Sequence, residues 1–347
     1  MNGVISRPKI RVLLVDEAST ERSRLVEVLR DEGDIVVVDQ RANVAEAIEQ
    51  VTQSGPDVVI LDLHLRGGQS QYAIEQIMAR TPTPILVLSA RTDDRHSPCA
   101  VQALVAGALD ALPRPLQWTP ELAAELRRKV RLISTVHVIM HPRGGRAHVS
   151  PPEVTPQTGH RPVVAIAAST GGPSALATVL SGLADLQAPV LVVQHLHADF
   201  VAGLVQWMVR VSALPVEIAR ADRVTVPGRI YIAPGGTHLR LGTNRRLELA
   251  ERPVTVHRPS ANELFTSVAD NAGSAGIGVL LTGMGDDGAE GLLAIRRHGG
   301  VTLAQDEASS AVFGMPQAAD RLGAVIEMLP LARMATAIQR AVQRAYT

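Results

Sequence analysis

Short runs of Val, Ile and Leu, each followed by an amphipathic stretch, recur from one end of the chain to the other, and this alternation restricts the fold more than any other feature. Ile10–Val15, Ile35–Asp39, Val58–Leu61, Ile85–Leu88 and Ala108–Leu112 are apolar runs; Glu21–Glu32 and Ala45–Gln53 between them have helical spacing. A strand that is apolar at every position must be covered on both faces, which predicts a parallel sheet sandwiched between helices. The pattern stops between about Lys129 and Arg161, where His141-Pro142-Arg143-Gly144-Gly145 and Ser150-Pro151-Pro152 read as a linker. A second series then starts at Val163–Ala167 and continues through Gly172–Leu180 (helical), Val190–Val193, Phe200–Val211 (helical), Ile230–Ala233, Ile277–Leu281, Gly288–Arg297 (helical) and Val301–Ala304. The reading is α/β, two doubly wound parallel-sheet domains: residues 1–128, a linker 129–160, and residues 161–347. The 347 residues suffice for two such cores.

Charge excludes several classes of partner. Lys+Arg and Asp+Glu both number 34, so no bulk charge is available to hold nucleic acid or an anionic membrane. No apolar run approaches the roughly 18 residues of a membrane span, and Met1–Pro8 lacks the apolar stretch of a secretory leader. The lone cysteine, Cys99, has no partner for a disulfide or a zinc site. A cytoplasmic location without direct membrane insertion is expected.

In a parallel sheet the loops after the strands line one crevice. In the first domain those loops carry Asp16 and Glu17, Asp62, and Ser89. Clustered carboxylates call for a cation, and Mg²⁺ held by Asp16, Glu17 and Asp62 is the natural occupant. The order and spacing of these residues resemble the receiver domain of two-component response regulators, over about residues 9–128. That resemblance implies a flavodoxin-like fold with Asp62 as the phosphorylated residue. Two departures stand out. Arg114-Pro115 occupies the place of the usual Lys-Pro, and the chain reads Leu65-Arg66 and Gln69-Ser70 where receivers show Met-Pro and Asp-Gly. Arginine is a planar fork rather than a compact ammonium, so the pocket reads as degenerate.

In the second domain, Ala168-Ser169-Thr170-Gly171-Gly172-Pro173-Ser174 is a small-residue turn between an apolar strand and a helix. A serine there lies beside the unpaired N–H groups of a helix N-terminus. The turn lacks the Gly-x-Gly-x-x-Gly of a dinucleotide site, and the next strand ends in Gln194-His195 rather than an acid. Strand order thus brings His195 close to Ser169 as a general base, with His197 a competitor. Gly283-Met284-Gly285-Asp286-Asp287-Gly288 follows a third strand and offers either aspartate to orient the histidine.

These residues resemble the chemotaxis response regulators that are protein-glutamate methylesterases. The motifs are Ala168–Gly172, Gln194-His195, Ile232–Gly235, His257–Ser260, Leu281–Gly288 and Phe313–Pro316, in the family's order. The resemblance implies a Rossmann-like catalytic domain with Ser169 as nucleophile, His195 as base and Asp287 as orienting acid. The Thr170 and Met284 N–H groups would form the oxyanion hole. It also implies demethylation of glutamate γ-methyl esters, and deamidation of glutamines, on the cytoplasmic domains of chemoreceptors. A chemotaxis histidine kinase would be the phosphodonor, and catalysis would need no cofactor. His238, Arg258 and Ser260 are expected to be structural or groove-lining. Asn262 stands where the family usually has aspartate, which puts substrate contacts there in question. The competing reading is a non-catalytic signalling or binding module attached to a receiver. A transcriptional regulator is opposed by the lack of a basic recognition helix in residues 161–347.

Overall fold

A computed structural model describes residues 9–65, 69–90, 97–136 and 161–346. The chain divides into two units, residues 1–140 and 141–347. Residues 137–160 of the expected linker, Met1–Pro8 and Arg66 lie outside the described residues.

The first unit runs β1 (Ile10–Val15), α1 (Ser19–Arg30), β2 (Ile35–Arg41), α2 (Val44–Ser54), β3 (Val58–Asp62), α3 (Ser70–Arg80), β4 (Ile85–Ala90), α4 (Ser97–Ala106), β5 (Asp110–Arg114) and α5 (Pro120–Ser134). Its five strands lie in the order β2-β1-β3-β4-β5, all pairs parallel. The strand order is that of the flavodoxin-like doubly wound sheet. β3 is buried at every position, and β1 at its last four, as continuous apolar runs require. The expected boundary at residue 128 falls inside α5. The helix runs on to Ser134 because Val130 and Ile133 continue the buried stripe begun by Ala123 and Leu126.

The second unit runs β6 (Val163–Ala168), α6 (Gly172–Ser181), β7 (Val190–Gln194), α7 (Ala198–Val211), β8 (Val216–Ile218), β9 (Ile230–Ile232), β10 (His238–Leu241), β11 (Leu247–Ala250), α8 (Ala261–Ala272), β12 (Gly276–Leu280), α9 (Ala289–Arg297), β13 (Val301–Gln305), α10 (Met315–Arg321), β14 (Glu327–Leu329) and α11 (Leu331–Arg344). Seven parallel strands lie in the order β14-β13-β12-β6-β7-β9-β8, and β10 and β11 form a separate antiparallel hairpin.

β6 occupies the centre, with β7 on one side and β12 on the other. The chain passes from β6 to β7 and returns later to β12, so the order reverses at β6, the place where doubly wound sheets open a crevice. The register sets the three strand ends level. Ala168 pairs with Gln194 and Ala167 with Leu280, so the loops after β6, β7 and β12 all leave from one line.

Candidate active site

Ser169 follows β6 directly. Its N–H donates to the Thr282 carbonyl (3.0 Å) and its own carbonyl accepts from the Gly172 N–H (2.8 Å), which folds the turn tightly into α6. Gly171 makes that turn at φ +75°, a left-handed conformation that side chains other than glycine disfavour. Gly283 is required for a different reason. A Cβ there would stand 2.7 Å from Ser169 Cβ and 2.2 Å from Met315 Sδ, so the loop after β12 lies directly against Ser169.

His195 follows β7 and donates its N–H to the Ala168 carbonyl (3.0 Å), beside the serine. Its Nε2 lies 2.8 Å from Asp287 Oδ2, and both side chains are nearly buried. Asp287 also accepts hydrogen bonds from the Ser260 hydroxyl (2.8 Å), the Ala261 N–H (2.7 Å) and the Asn262 N–H (3.0 Å). The carboxylate thus sits on the N-terminus of α8, where the helix dipole favours negative charge. Burial by itself pushes the Asp287 carboxyl upward, but His195 and the Asn262 and Ala261 amides outweigh it and hold the group well below its ordinary 3.8.

This fixes the histidine tautomer. An ionised carboxylate only accepts, so Nε2 carries the hydrogen and Nδ1 keeps its lone pair. Nδ1 is buried with no hydrogen-bond partner, which leaves it free to take a proton. The two ring nitrogens therefore exchange the roles they have in chymotrypsin-like triads, where Nδ1 faces the aspartate.

His197, the competing base, caps α7 instead, its Nδ1 accepting from the Asp199 N–H (3.3 Å). Asp286, the competing acid, is exposed. Among the described residues neither the Thr170 nor the Met284 N–H has an acceptor within the protein.

Four further residues shape the site. Gln194 is buried, and its Nε2 donates both to the Ser169 carbonyl (2.8 Å) and to the His195 carbonyl (3.0 Å), tying the two strand ends together. The reverse amide orientation would set oxygen against two oxygens, so the donor assignment is forced. Its Oε1 is buried without a partner, against Gly172, where a Cβ would stand 2.0 Å away. His257 stacks on the His195 ring, centroids 4.2 Å apart and planes 7° from parallel. Ser260 holds the acid through its hydroxyl. Asn262 Oδ1 accepts from the Gly288 and Gly291 N–H groups (3.0 and 2.9 Å), pinning the loop that carries Asp287 to the start of α9. A carboxylate at this position could accept the same two hydrogen bonds. Ser260 and Glu263 match the Ser-x-x-Glu signature of a helix start, which is the signal that marks α8 and its N-terminus.

In the first unit Asp16, Asp62 and Ser89 are all buried at the ends of β1, β3 and β4. Arg114, at the end of β5, hydrogen-bonds Asp16 Oδ2 and stands 3.4 Å from Asp62 Oδ2. Burial raises the Asp16 carboxyl above its ordinary value, with Arg114 opposing. Ser89 Oγ is buried with no partner. Ser70 donates to the Asp62 and Leu63 carbonyls and so ties the start of α3 to the end of β3. Lys129 pairs with Asp110. Among the described residues no three His, Cys, Asp or Glu side chains gather closely enough to hold a metal ion, and the positive charge between Asp16 and Asp62 comes from Arg114.

Comparison with known proteins identifies both domains. Residues 164–338 match the family model described as CheB methylesterase, and residues 12–127 match the response regulator receiver domain. The chain is 38% identical to protein-glutamate methylesterase/protein-glutamine glutaminase 3 of Paramagnetospirillum magneticum, covering 96% of each chain. It is 43% identical to protein-glutamate methylesterase/protein-glutamine glutaminase 2 of Anaeromyxobacter dehalogenans, over 95% of this chain and 96% of that one. Among solved structures, the CheB methylesterase catalytic domain of Thermotoga maritima is similar at 32% identity and a TM-score of 0.50, covering 52% of this chain and 97% of that chain.

Proposed function

The chain belongs to the CheB methylesterase family, with a receiver domain ahead of the catalytic one, and on that premise we propose that Ser169, His195 and Asp287 carry out its protein-glutamate methylesterase reaction. Support for this assignment comes above all from the Nε2–Asp287 hydrogen bond, which leaves Nδ1 as a buried, unpartnered base beside the serine turn.

Ser169 Oγ attacks the side-chain carbonyl of a glutamate γ-methyl ester while His195 Nδ1 takes its proton. The Thr170 and Met284 amides hold the tetrahedral oxyanion; one such donor is worth roughly 3 kcal/mol in the transition state. The imidazolium, stabilised by Asp287, returns the proton to the departing methoxide and methanol leaves. Water then enters by way of the same base and frees the glutamate. A glutamine amide meets the same nucleophile, with ammonia leaving in place of methanol, so deamidation is a second activity of the site. Neither step draws on a metal.

The substrates are the cytoplasmic domains of methyl-accepting chemoreceptors, and a chemotaxis histidine kinase supplies the phosphoryl group to Asp62. A neutral balance of charge, and the lack of any helix among the described residues that could cross a membrane, suit a protein that meets such partners from the cytoplasm. Among the described residues the carboxylates of Asp16, Glu17 and Asp62 do not gather as a ligand set for Mg²⁺, which would supply the positive charge a phosphoryl group needs near a carboxylate. Arg114 already provides part of that charge, which is the sense in which the pocket is degenerate.

Methanol release from methylated receptor tests the assignment. Wild type should release it, and Ser169→Ala should lose both release and labelling by a fluorophosphonate probe. Equal rates for the two proteins would overturn the mechanism.

A further inference from the structure

The general base lies under a second histidine that the reaction scheme does not use. His257 stands on the loop joining β11 to α8, and that loop is held from beneath by His238. The His238 ring is fully buried, and both of its nitrogens are spent on the loop backbone: Nε2 donates to the Pro253 carbonyl (2.8 Å), and Nδ1 accepts the Ser260 N–H (3.2 Å). Between those anchors the Gly236 N–H donates to the Arg258 carbonyl (3.2 Å), and the Thr255 hydroxyl donates to the carbonyl of His257 itself (2.5 Å). The backbone on both sides of His257 is therefore fixed. Its ring lies flat on that of His195, with centroids 4.2 Å apart and planes 7° from parallel.

His195 needs such a contact. The torsion that turns an imidazole about its Cβ–Cγ bond has only broad preferences, and a hydrogen bond tolerates about 30° of misalignment. The bond from Nε2 to Asp287 thus holds one ring nitrogen in place without fixing the plane of the ring. The direction of the Nδ1 lone pair follows that plane, and Nδ1 has no hydrogen-bond partner of its own to hold it. We propose that His257 is a positioning residue for the general base: its flat face sets the plane of the His195 imidazole and so aims Nδ1 at the serine turn. The proposal rests on the methylesterase reading of the site. Turning His195 out of that plane drives an edge of its ring into the face of His257, so the stack opposes the turn. The role asks for an aromatic face at residue 257 and for no proton transfer there.

The test uses the full-length chain with His257→Ala, His257→Leu and His257→Phe. Leucine restores bulk without a flat face, whereas phenylalanine restores the face without ring nitrogens. Each variant is assayed for kcat and KM on a small ester such as N-acetylglutamate γ-methyl ester, for the second-order rate of fluorophosphonate labelling of Ser169, and by thermal melt. The alanine and leucine variants should lose about tenfold in kcat and in labelling rate, with KM within about twofold of wild type, and phenylalanine should recover most of both losses. Tenfold corresponds to about 1.4 kcal/mol of barrier, which is within the reach of a stacked pair of rings. An alanine variant with unchanged kcat overturns the proposal. Recovery by leucine equal to that by phenylalanine also overturns it, because bulk alone would then suffice. A phenylalanine variant as slow as alanine does the same, by assigning the effect to the ring nitrogens of His257. A loss confined to KM would make His257 a substrate contact, and a melting temperature that falls in step with kcat would make it a structural support; either result overturns the positioning role. Wild type that neither labels nor cleaves the small ester overturns the reading of the site itself, an outcome distinct from failure of the stack.

Discussion

Replacing Gln194 by methionine separates the stability of the catalytic domain from its activity. Methionine is unbranched and close to glutamine in length, so the change removes an amide with little loss of volume. Two hydrogen bonds disappear, to the Ser169 and His195 carbonyls, at about 1 kcal/mol each. The unpartnered Oε1 disappears with them, and a buried acceptor without a donor costs about 1–3 kcal/mol. The two contributions nearly cancel, so thermal unfolding should shift by no more than a few degrees. Activity should not cancel in this way. The Ser169 carbonyl keeps its Gly172 donor, whereas the end of β7 loses its tie to the nucleophile turn. A drift of about 1 Å between reacting groups costs about a hundredfold, or about 2.7 kcal/mol of barrier. The second-order rate of fluorophosphonate labelling, read beside a thermal melt, checks this. A labelling rate within twofold of wild type would refute the clamp; a collapse in melting temperature would make Gln194 a core residue and nothing more.

Other outcomes follow from the same geometry. Gly283→Ala sets a methyl group against Ser169 Cβ and should reduce labelling at least a hundredfold in protein that still melts cooperatively. Asp287 has a depressed folded pKa, so the stability it contributes is complete above about pH 4 and is lost as the pH falls below 3.8 towards the folded value. Below pH 4 wild type should lose up to about 1.4 kcal/mol per pH unit more than Asp287→Asn, measured by denaturant melts across the acid range. Asn262→Ala removes the acceptor for two amides at the start of α9 and should cost about 1–2 kcal/mol in the same melts, while Asn262→Asp retains those bonds. Arg114→Lys replaces a fork that engages both carboxylates with a point charge, so titration calorimetry should show tighter Mg²⁺ binding than wild type.

The strands and the residues of the proposed triad were legible in the sequence for one reason: a parallel sheet forces apolar runs to be continuous and places chemistry at their ends. β6, β7 and β12 satisfy both conditions, and Ser169, His195 and Asp287 follow from them. Strand order favoured His195 over His197, and the resemblance favoured Asp287 over Asp286; the capping of α7 by His197 and the exposure of Asp286 are in keeping with both choices. The β10–β11 hairpin escaped notice because its four-residue strands alternate apolar and polar positions over too short a span to stand out. Gln194 and Ser260 were hidden for a different reason. Both act through hydrogen bonds to groups on another strand or loop, and no local pattern reports a partner 25 or 27 residues away. In the receiver, Arg114 was visible as a departure, but only the fold shows that it engages Asp16 as well as approaching Asp62.

Because β6 is central and β12 completes it from the far side, Asp287 lies 92 residues beyond the histidine it orients. At the ribosome, chains lengthen by about 5–20 residues per second, so nucleophile and base are made roughly 5–20 s before their acid. A half-made chain has a serine and a histidine on neighbouring strands but an imidazole with nothing to fix its tautomer. Full activity of the proposed triad therefore waits until β12 and the loop after it take their place.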